Sequence, residues 1–196
     1  MKPAGLILAA GESSRMGADK ALLPFGDSSF LEHLIRLFLP RVAPLVVVLG
    51  HHAAAIRGSI ALRPGLTFAI NPDYRRGQLS SFQTGLRAVP ARAPAALVTL
   101  VDHPGVADTT LDAILGHYDP AAPSLVIPRY QGQRGHPVLL PRPLLDEIAA
   151  LPPDASAKQV VRAHHAQAVF LDLDDPGIVA DIDTPAEYQQ WRLPES

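Results

Sequence analysis

An α/β fold, a doubly wound and mainly parallel sheet with helices on both faces, is predicted by three observations. Apolar runs of four to seven residues recur along the chain, they are continuous rather than alternating, and the segments between them carry apolar residues at helical spacing. Continuous apolarity marks strands buried on both faces, as in a parallel sheet covered by helices. At 196 residues and 47% apolar composition, one substantial core is expected, and with it a single domain spanning residues 1–196.

The first strand runs from Ala4 to Ala10 and leads into a polar loop. Phe30, Leu31, Leu34, Ile35 and Phe38 then follow the i, i+3, i+4 spacing of a buried helix face. Leu45 to Leu49, Leu66 to Ile70 and Ala95 to Val101 are the next strands, and Leu111, Ile114 and Leu115 mark the helix after them. The first half therefore reads β-α-β-α-β-α-β-α, with a further strand from Ser124 to Ile127. Beyond it, "PRYQGQRGHPVLLP" sets Gly132 and Gly135 between two short apolar segments, the pattern of a hairpin or loop excursion rather than a crossover. Helices are expected over Pro143 to Leu151 and from Ser156, as N-cap, to about His164. A last strand near Ala168 to Leu171 precedes a helix with Thr184 as N-cap and Pro185 in the first helical position. The 20 prolines gather in short pairs that punctuate connections.

Composition excludes several classes. A net charge of −2 argues against a nucleic-acid or membrane-surface binder, whose affinity rests on a basic field. With no cysteine, disulfides, thiolate metal sites and cysteine nucleophiles are excluded. The N-terminal apolar stretch is too short for a signal peptide and no spanning segment follows, so a cytoplasmic protein is expected. The pairs His51-His52 and His164-His165 lack the i, i+4 spacing of helical metal ligands and read as surface or helix-end residues.

The junction "LILAAGESSRMGADK" carries the chemistry. Gly11 and Gly17, Ser13 and Ser14, and Arg15 and Lys20 gather donors at the end of a buried strand, where open α/β sheets place anionic ligands. The alternative is an ordinary strand-to-helix connection. The spacing fits neither G-x-x-x-x-G-K-[ST] nor G-x-G-x-x-G, so a kinase-like P-loop and a dinucleotide cofactor site are not supported.

The pattern A-A-G-x-S-x-R-M-G-x-x-K, followed in order by "NPDYRRGQLSSFQTGL", "LVDHPGV", "GHPVLL" and "DIDTPAEY", resembles the molybdenum cofactor nucleotidyltransferases, and within them the cytidylyltransferases. The resemblance implies a Rossmann-like nucleotidyltransferase fold and transfer of CMP from CTP to the phosphate of molybdopterin, with release of pyrophosphate. Implied partners are CTP or another NTP and a molybdopterin-type phosphorylated acceptor, with a molybdenum hydroxylase or its maturation factor as protein partner. Guanylyl or other nucleotidyl transfer to a different phosphorylated small molecule is the first alternative. A non-catalytic nucleotide-binding cofactor chaperone is the second.

Residue by residue, the resemblance implies that Ala9, Ala10, Gly11, Ser13, Arg15, Gly17 and Lys20 hold the nucleotide. Gly77, Ser80 and Ser81 would meet its base and ribose, although serines at a helix start also serve as caps. Arg15 and Lys20 would stabilise charge on the departing pyrophosphate. Asp102 is the implied Mg²⁺ ligand, with Val101 and His103 standing where the family has glycine and methionine. In "DIDTP", Asp181 and Asp183 are two apart and, in an extended segment, face the same side. The resemblance favours Asp183 as the second ligand, and the alternative is that it accepts amides at the last helix. His103, Arg134 and His136 would line the acceptor site, with Arg129 nearby, unless His136 braces its loop. Ala10 in "LAAG", where guanylyl-transferring relatives have "LAGG", favours CTP.

Overall fold

The computed structural model describes residues 1–191. Its first half follows the expected alternation: β1 (Ala4–Ala9), α1 (Phe30–Phe38), β4 (Leu45–Leu49), α2 (Ala53–Ser59), β5 (Leu66–Ile70), α3 (Gln78–Ala88), β6 (Ala95–Leu100) and α4 (Asp108–Gly116). A two-stranded hairpin, β2 (Pro24–Phe25) and β3 (Ser28–Ser29), precedes α1. The second half holds β7 (Val126–Tyr130), β8 (Gln133–Arg134), β9 (Val138–Pro141), α5 (Arg142–Ala149), α6 (Ala157–Ala163), β10 (Val169–Asp172) and α7 (Pro185–Trp191). The sheet order is β10-β7-β9-β6-β1-β4-β5, with β8 paired to β7.

Alternation within β1 builds a core on each face. Ile7 and Ala9 pack with α1, α2 and α4 through Leu34, Ile35, Ile56 and Leu111. Leu6 and Leu8 pack on the other face with Phe82 and Leu86 of α3, Leu145 of α5 and Val160 of α6. The expected strand Leu66 to Ile70 forms, but not as a strand buried on both faces. As β5 it is the sheet edge, pairing only with β4, and Ile70 is 48% exposed. The glycine-bearing segment folds as the hairpin β7-β8 and then as β9, which inserts antiparallel between β6 and β7. The N-termini of α6 and α7 are as expected, with Ser156 accepting from the Lys158 amide and Thr184 from the Glu187 amide, each at 3.3 Å. No helix among the described residues is long and apolar enough to cross a membrane.

β4 and β5 lie on one side of β1 and β6 on the other, both β4 and β6 running parallel to β1. The order in which successive strands are laid down therefore reverses at β1, and the loops leaving β1 and β6 part at their carboxyl ends. This is the topological crevice in which open α/β sheets bind ligands.

Gly135 fixes the wall beside that crevice. A Cβ there would stand 1.9 Å from the carbonyl oxygen of Ile178, which itself accepts from the His136 amide at 2.8 Å. Gly135→Ala should therefore cost about 1–3 kcal/mol, because backbone rather than a flexible side chain must move. Gly58→Ala, in α2 with nothing within 4 Å, should instead stabilise by about 0.4–1 kcal/mol. Chemical denaturation of both variants tests this, and equal midpoints would contradict the packing account.

Candidate functional site

The β1 loop is shaped by two left-handed residues and one apolar anchor. Ser13 (φ 50°) and Gly17 (φ 69°) turn the chain. The Met16 amide donates to the Ser13 carbonyl at 2.9 Å, and the Lys20 amide to the Ser13 hydroxyl at 3.2 Å. Met16 is buried with Phe25, Phe30 and Ile182, which secures the loop between its polar residues. The pattern A-A-G-x-S-x-R-M-G-x-x-K carries Met16 as a fixed position without assigning it this anchoring role.

A cavity of about 320 Å³ opens against this loop, lined by Ala9, Ala10, Gly11, Ser13, Arg15 and Lys20 from the first strand and loop. Gly77 and Ser81 come from the start of α3, Asp102 from the end of β6, and Asp183 from the segment before α7. Gly77, at φ 99°, opens α3 with a conformation that suits glycine. Two expected residues are not at this wall. Gly17 shapes the turn but does not line the cavity, and Ser80 faces a smaller depression. The Ser80 hydroxyl is taken up by the carbonyls of Asp73 and Gly77 at 3.1 and 2.8 Å, the local bonding of a helix start.

Lys20 sits between the two carboxylates. Its side chain is 9% exposed, its Nζ contacts Asp183 directly and lies 3.6 Å from Asp102 Oδ2. Arg15, 69% exposed, contacts Asp183 as well. Burial alone would raise the Asp183 carboxyl, but the hydrogen bonds and charges of Lys20 and Arg15 outweigh it and hold it below the usual carboxylate range. The helix start is capped without the Asp183 side chain: Glu187 accepts the amides of Asp183 and Thr184 at 2.9 and 2.8 Å, while Thr184 accepts from the Glu187 amide. Asp183 is thus free of the capping role. Between Asp181 and Asp183, Ile182 turns into the core, and its amide donates to the Asp102 carbonyl at 2.9 Å. Asp183 faces the loop cavity and Asp181 a second one.

That second cavity, of about 450 Å³, shares Leu8, Gln78 and Leu100 with the first. His103, Arg134 and His136 all line it, so the three residues assigned to the acceptor converge. The rings of His103 and His136 are 5.0 Å apart, and Nδ1 of each is buried without a partner. Burial, reinforced by the neighbouring His103, pushes His136 down to about 3, so it is neutral at physiological pH. Burial also pushes His103 down, against the opposing charges of Asp102 and Asp181. Arg129 is not at this wall, and pairs with Asp172 across β7 and β10 at 2.6 and 2.8 Å. Lys158 and Arg162 of α6 do line it. Sequence reasoning missed them because cations on a short helix read as a solvated face. It also missed Tyr74 and Gln78, lining residues of the first cavity. His52 stands at the start of α2 and is exposed, as the helix-end reading expects, and its Nδ1 also reaches Asp19 Oδ2 at 2.9 Å across the loop.

Residues 5–168 match the family described as the MobA-like NTP transferase domain. The chain is 26% identical over 183 residues to the molybdenum cofactor cytidylyltransferase of Escherichia coli (strain K12), covering 93% of this chain and 92% of the relative. It is 32% identical over 198 residues to the nicotine blue oxidoreductase of Paenarthrobacter nicotinovorans (96% and 95%). Against the probable molybdenum cofactor guanylyltransferase of Mycobacterium marinum it is 29% identical over 190 residues (94% and 90%). Among solved structures, Rv0371c from Mycobacterium tuberculosis H37Rv superposes with a TM-score of 0.81 at 30% identity, covering 97% of each chain. The same protein has been solved in complex with manganese.

Proposed function

We propose, since this chain belongs to the family of MobA-like NTP transferase domains, that it transfers CMP from CTP to the phosphate of a molybdopterin-type acceptor. The observation that carries this reading is the placement of Lys20, Asp102 and Asp183 at one end of a glycine-bearing loop cavity that shares a wall with a second, cationic cavity. Donor and acceptor phosphates held in the two cavities would meet at that wall.

In the reaction, an acceptor phosphate oxygen forms a bond to the α-phosphorus of the triphosphate. The bond from that phosphorus to the α,β-bridging oxygen breaks, and its electron pair leaves with pyrophosphate. A phosphate monoester has its second pKa near 6 and is largely dianionic at neutral pH, so no side chain need deprotonate it. Lys20 and Arg15 supply cations where charge grows on the leaving group. Loop amides around Gly11 and Ser13 hold the phosphates, and Gly77 and Ser81 face the nucleoside side. Arg134, Lys158 and Arg162 offer cations to the acceptor, with His103 and His136 as its uncharged polar wall.

A divalent metal fits the carboxylate pair. Asp102 Oδ1 is buried without a hydrogen-bond partner, and the Asp183 carboxylate, which the helix cap does not use, is held by Lys20 and Arg15 and would have to be shared with them. Such hard oxygen donors suit Mg²⁺, and the structural relative solved in complex with manganese supports a divalent ion as partner of this chain. When bound there, the metal neutralises phosphate charge.

The base assignment rests on Ala10, which is 4% exposed and lines the first cavity. A methyl group at this point narrows the space for a purine. The test is a competition assay with equal CTP and GTP, Mg²⁺ and molybdopterin, resolving the two dinucleotide products by mass. Cytidine product should predominate, and Ala10→Gly should relax the preference without reversing it, since one methyl changes discrimination by only about 10–200-fold. Predominant guanosine product would move the assignment to guanylyl transfer. Binding without pyrophosphate release would instead favour the chaperone alternative.

A further inference from the structure

Asp19, His51 and His52 form a group that the proposed transfer does not use. We propose that these three side chains bind a first-row divalent transition ion such as Zn²⁺, tying the end of the β1 loop to the junction of β4 and α2. Among the described residues they are the only group of three or more His, Cys, Asp or Glu side chains whose donor atoms all lie within 4.8 Å of one another.

The backbone explains how neighbours in sequence come to share a site. Successive residues normally diverge, in a strand to opposite faces. His52, however, is left-handed at φ 46° and ψ 30°, and this turn brings its ring over that of His51, with centroids 3.7 Å apart and planes inclined by 34°. Asp19 then closes the group from the loop, its two carboxylate oxygens 2.9 and 3.2 Å from His52 Nδ1. Ligand bonds of roughly 2.0–2.2 Å in a tetrahedral zinc site require donor atoms at about this mutual spacing, so small side-chain shifts suffice.

The donor chemistry selects the ion. Two imidazoles with one carboxylate suit zinc and its transition-metal neighbours, whereas Mg²⁺ prefers oxygen alone. The Asp102–Asp183 pair and this group would therefore take different ions. The Tyr74 hydroxyl lies 3.2 Å from His51 Nδ1, the kind of outer hydrogen bond that orients a ligating imidazole. His52 is 59% exposed and Asp19 18%, so an ion enters from solvent. Three protein ligands leave a coordination position open. Because Asp19 lines the loop cavity and directly precedes Lys20, an ion held here would fix the end of the loop that presents the lysine.

The test uses the full chain in excess Mg²⁺, so that the oxygen pair is already engaged, and follows histidine ring ¹H–¹⁵N correlations as Zn²⁺ is added. The ring nitrogens of His51 and His52 should shift first and saturate at one equivalent at micromolar protein. His52→Asn, which keeps a residue type at home in the left-handed region, should retain the fold in the same spectra and weaken zinc binding at least tenfold. His51→Ala should do likewise. The proposal is overturned if Zn²⁺ moves other imidazoles first, if no saturable shift occurs, or if either variant binds as tightly as the parent. None of these readouts depends on catalysis, so the transfer assignment stands or falls separately.

Discussion

Asp102→Asn should reduce turnover by on the order of 10²–10³ or more while leaving the fold in place. The substitution keeps the shape of the side chain and removes its negative charge from the loop cavity. Lys20 keeps its direct contact to Asp183 in this variant, because its distance to Asp102 is the longer one at 3.6 Å. The buried Oδ1 of Asp102 has no hydrogen bond to lose, so the expected loss falls on metal affinity and rate rather than on stability. Measuring turnover across a Mg²⁺ titration alongside thermal unfolding separates the two. Activity restored to the parental level by added Mg²⁺ would mean that Asp102 contributes affinity but not the catalytic arrangement. Unchanged activity would remove it from the site. Asp183→Asn should lose activity too, but also stability, since Lys20 is then left with only its more distant partner.

The split between what the sequence reveals and what it conceals has a physical basis. β1, β4 and α1 are legible because continuous and helical-period apolarity reports burial directly. β5 has a similarly apolar sequence yet lies at the edge, since composition records burial but not which strand ends the sheet. β9 is equally ambiguous, because an interior strand is apolar whichever way it runs. Within the site, Asp102, Lys20 and the loop glycines are local features of short segments and can be read as such. Asp183 becomes distinguishable from Asp181 only when the two are seen to line different cavities. The Asp19–His52 contact joins residues 33 positions apart, and the Lys158 and Arg162 side chains reach the second cavity only through the packing of α6. Such pairings carry no periodicity for a sequence to display.

Lys20→Ala should lower turnover by on the order of 10² or more, by analogy with loss of one preorganised donor to a developing anion. It should also lower stability in a way that depends on pH. Asp183 is held below its ordinary value of 3.8 by the hydrogen bonds and charges of Lys20 and Arg15, against the raising effect of burial. A carboxyl depressed in the folded state stabilises above its unfolded pKa, and that stabilisation is lost as pH falls through the folded value. Removing Lys20 removes most of this contribution, because Arg15 is 69% exposed and screened by solvent. The stability deficit of Lys20→Ala relative to the parent should therefore be fullest at neutral pH and shrink as pH falls through the carboxyl range. Denaturant unfolding at several pH values, paired with pyrophosphate release at neutral pH, reads both effects. A deficit that does not vary with pH would reduce the lysine to packing of its aliphatic stem. Near-normal turnover would exclude it from stabilising the leaving group, even if the pH-dependent pairing with Asp183 were borne out, because a cation can hold a carboxylate in place without touching the phosphates.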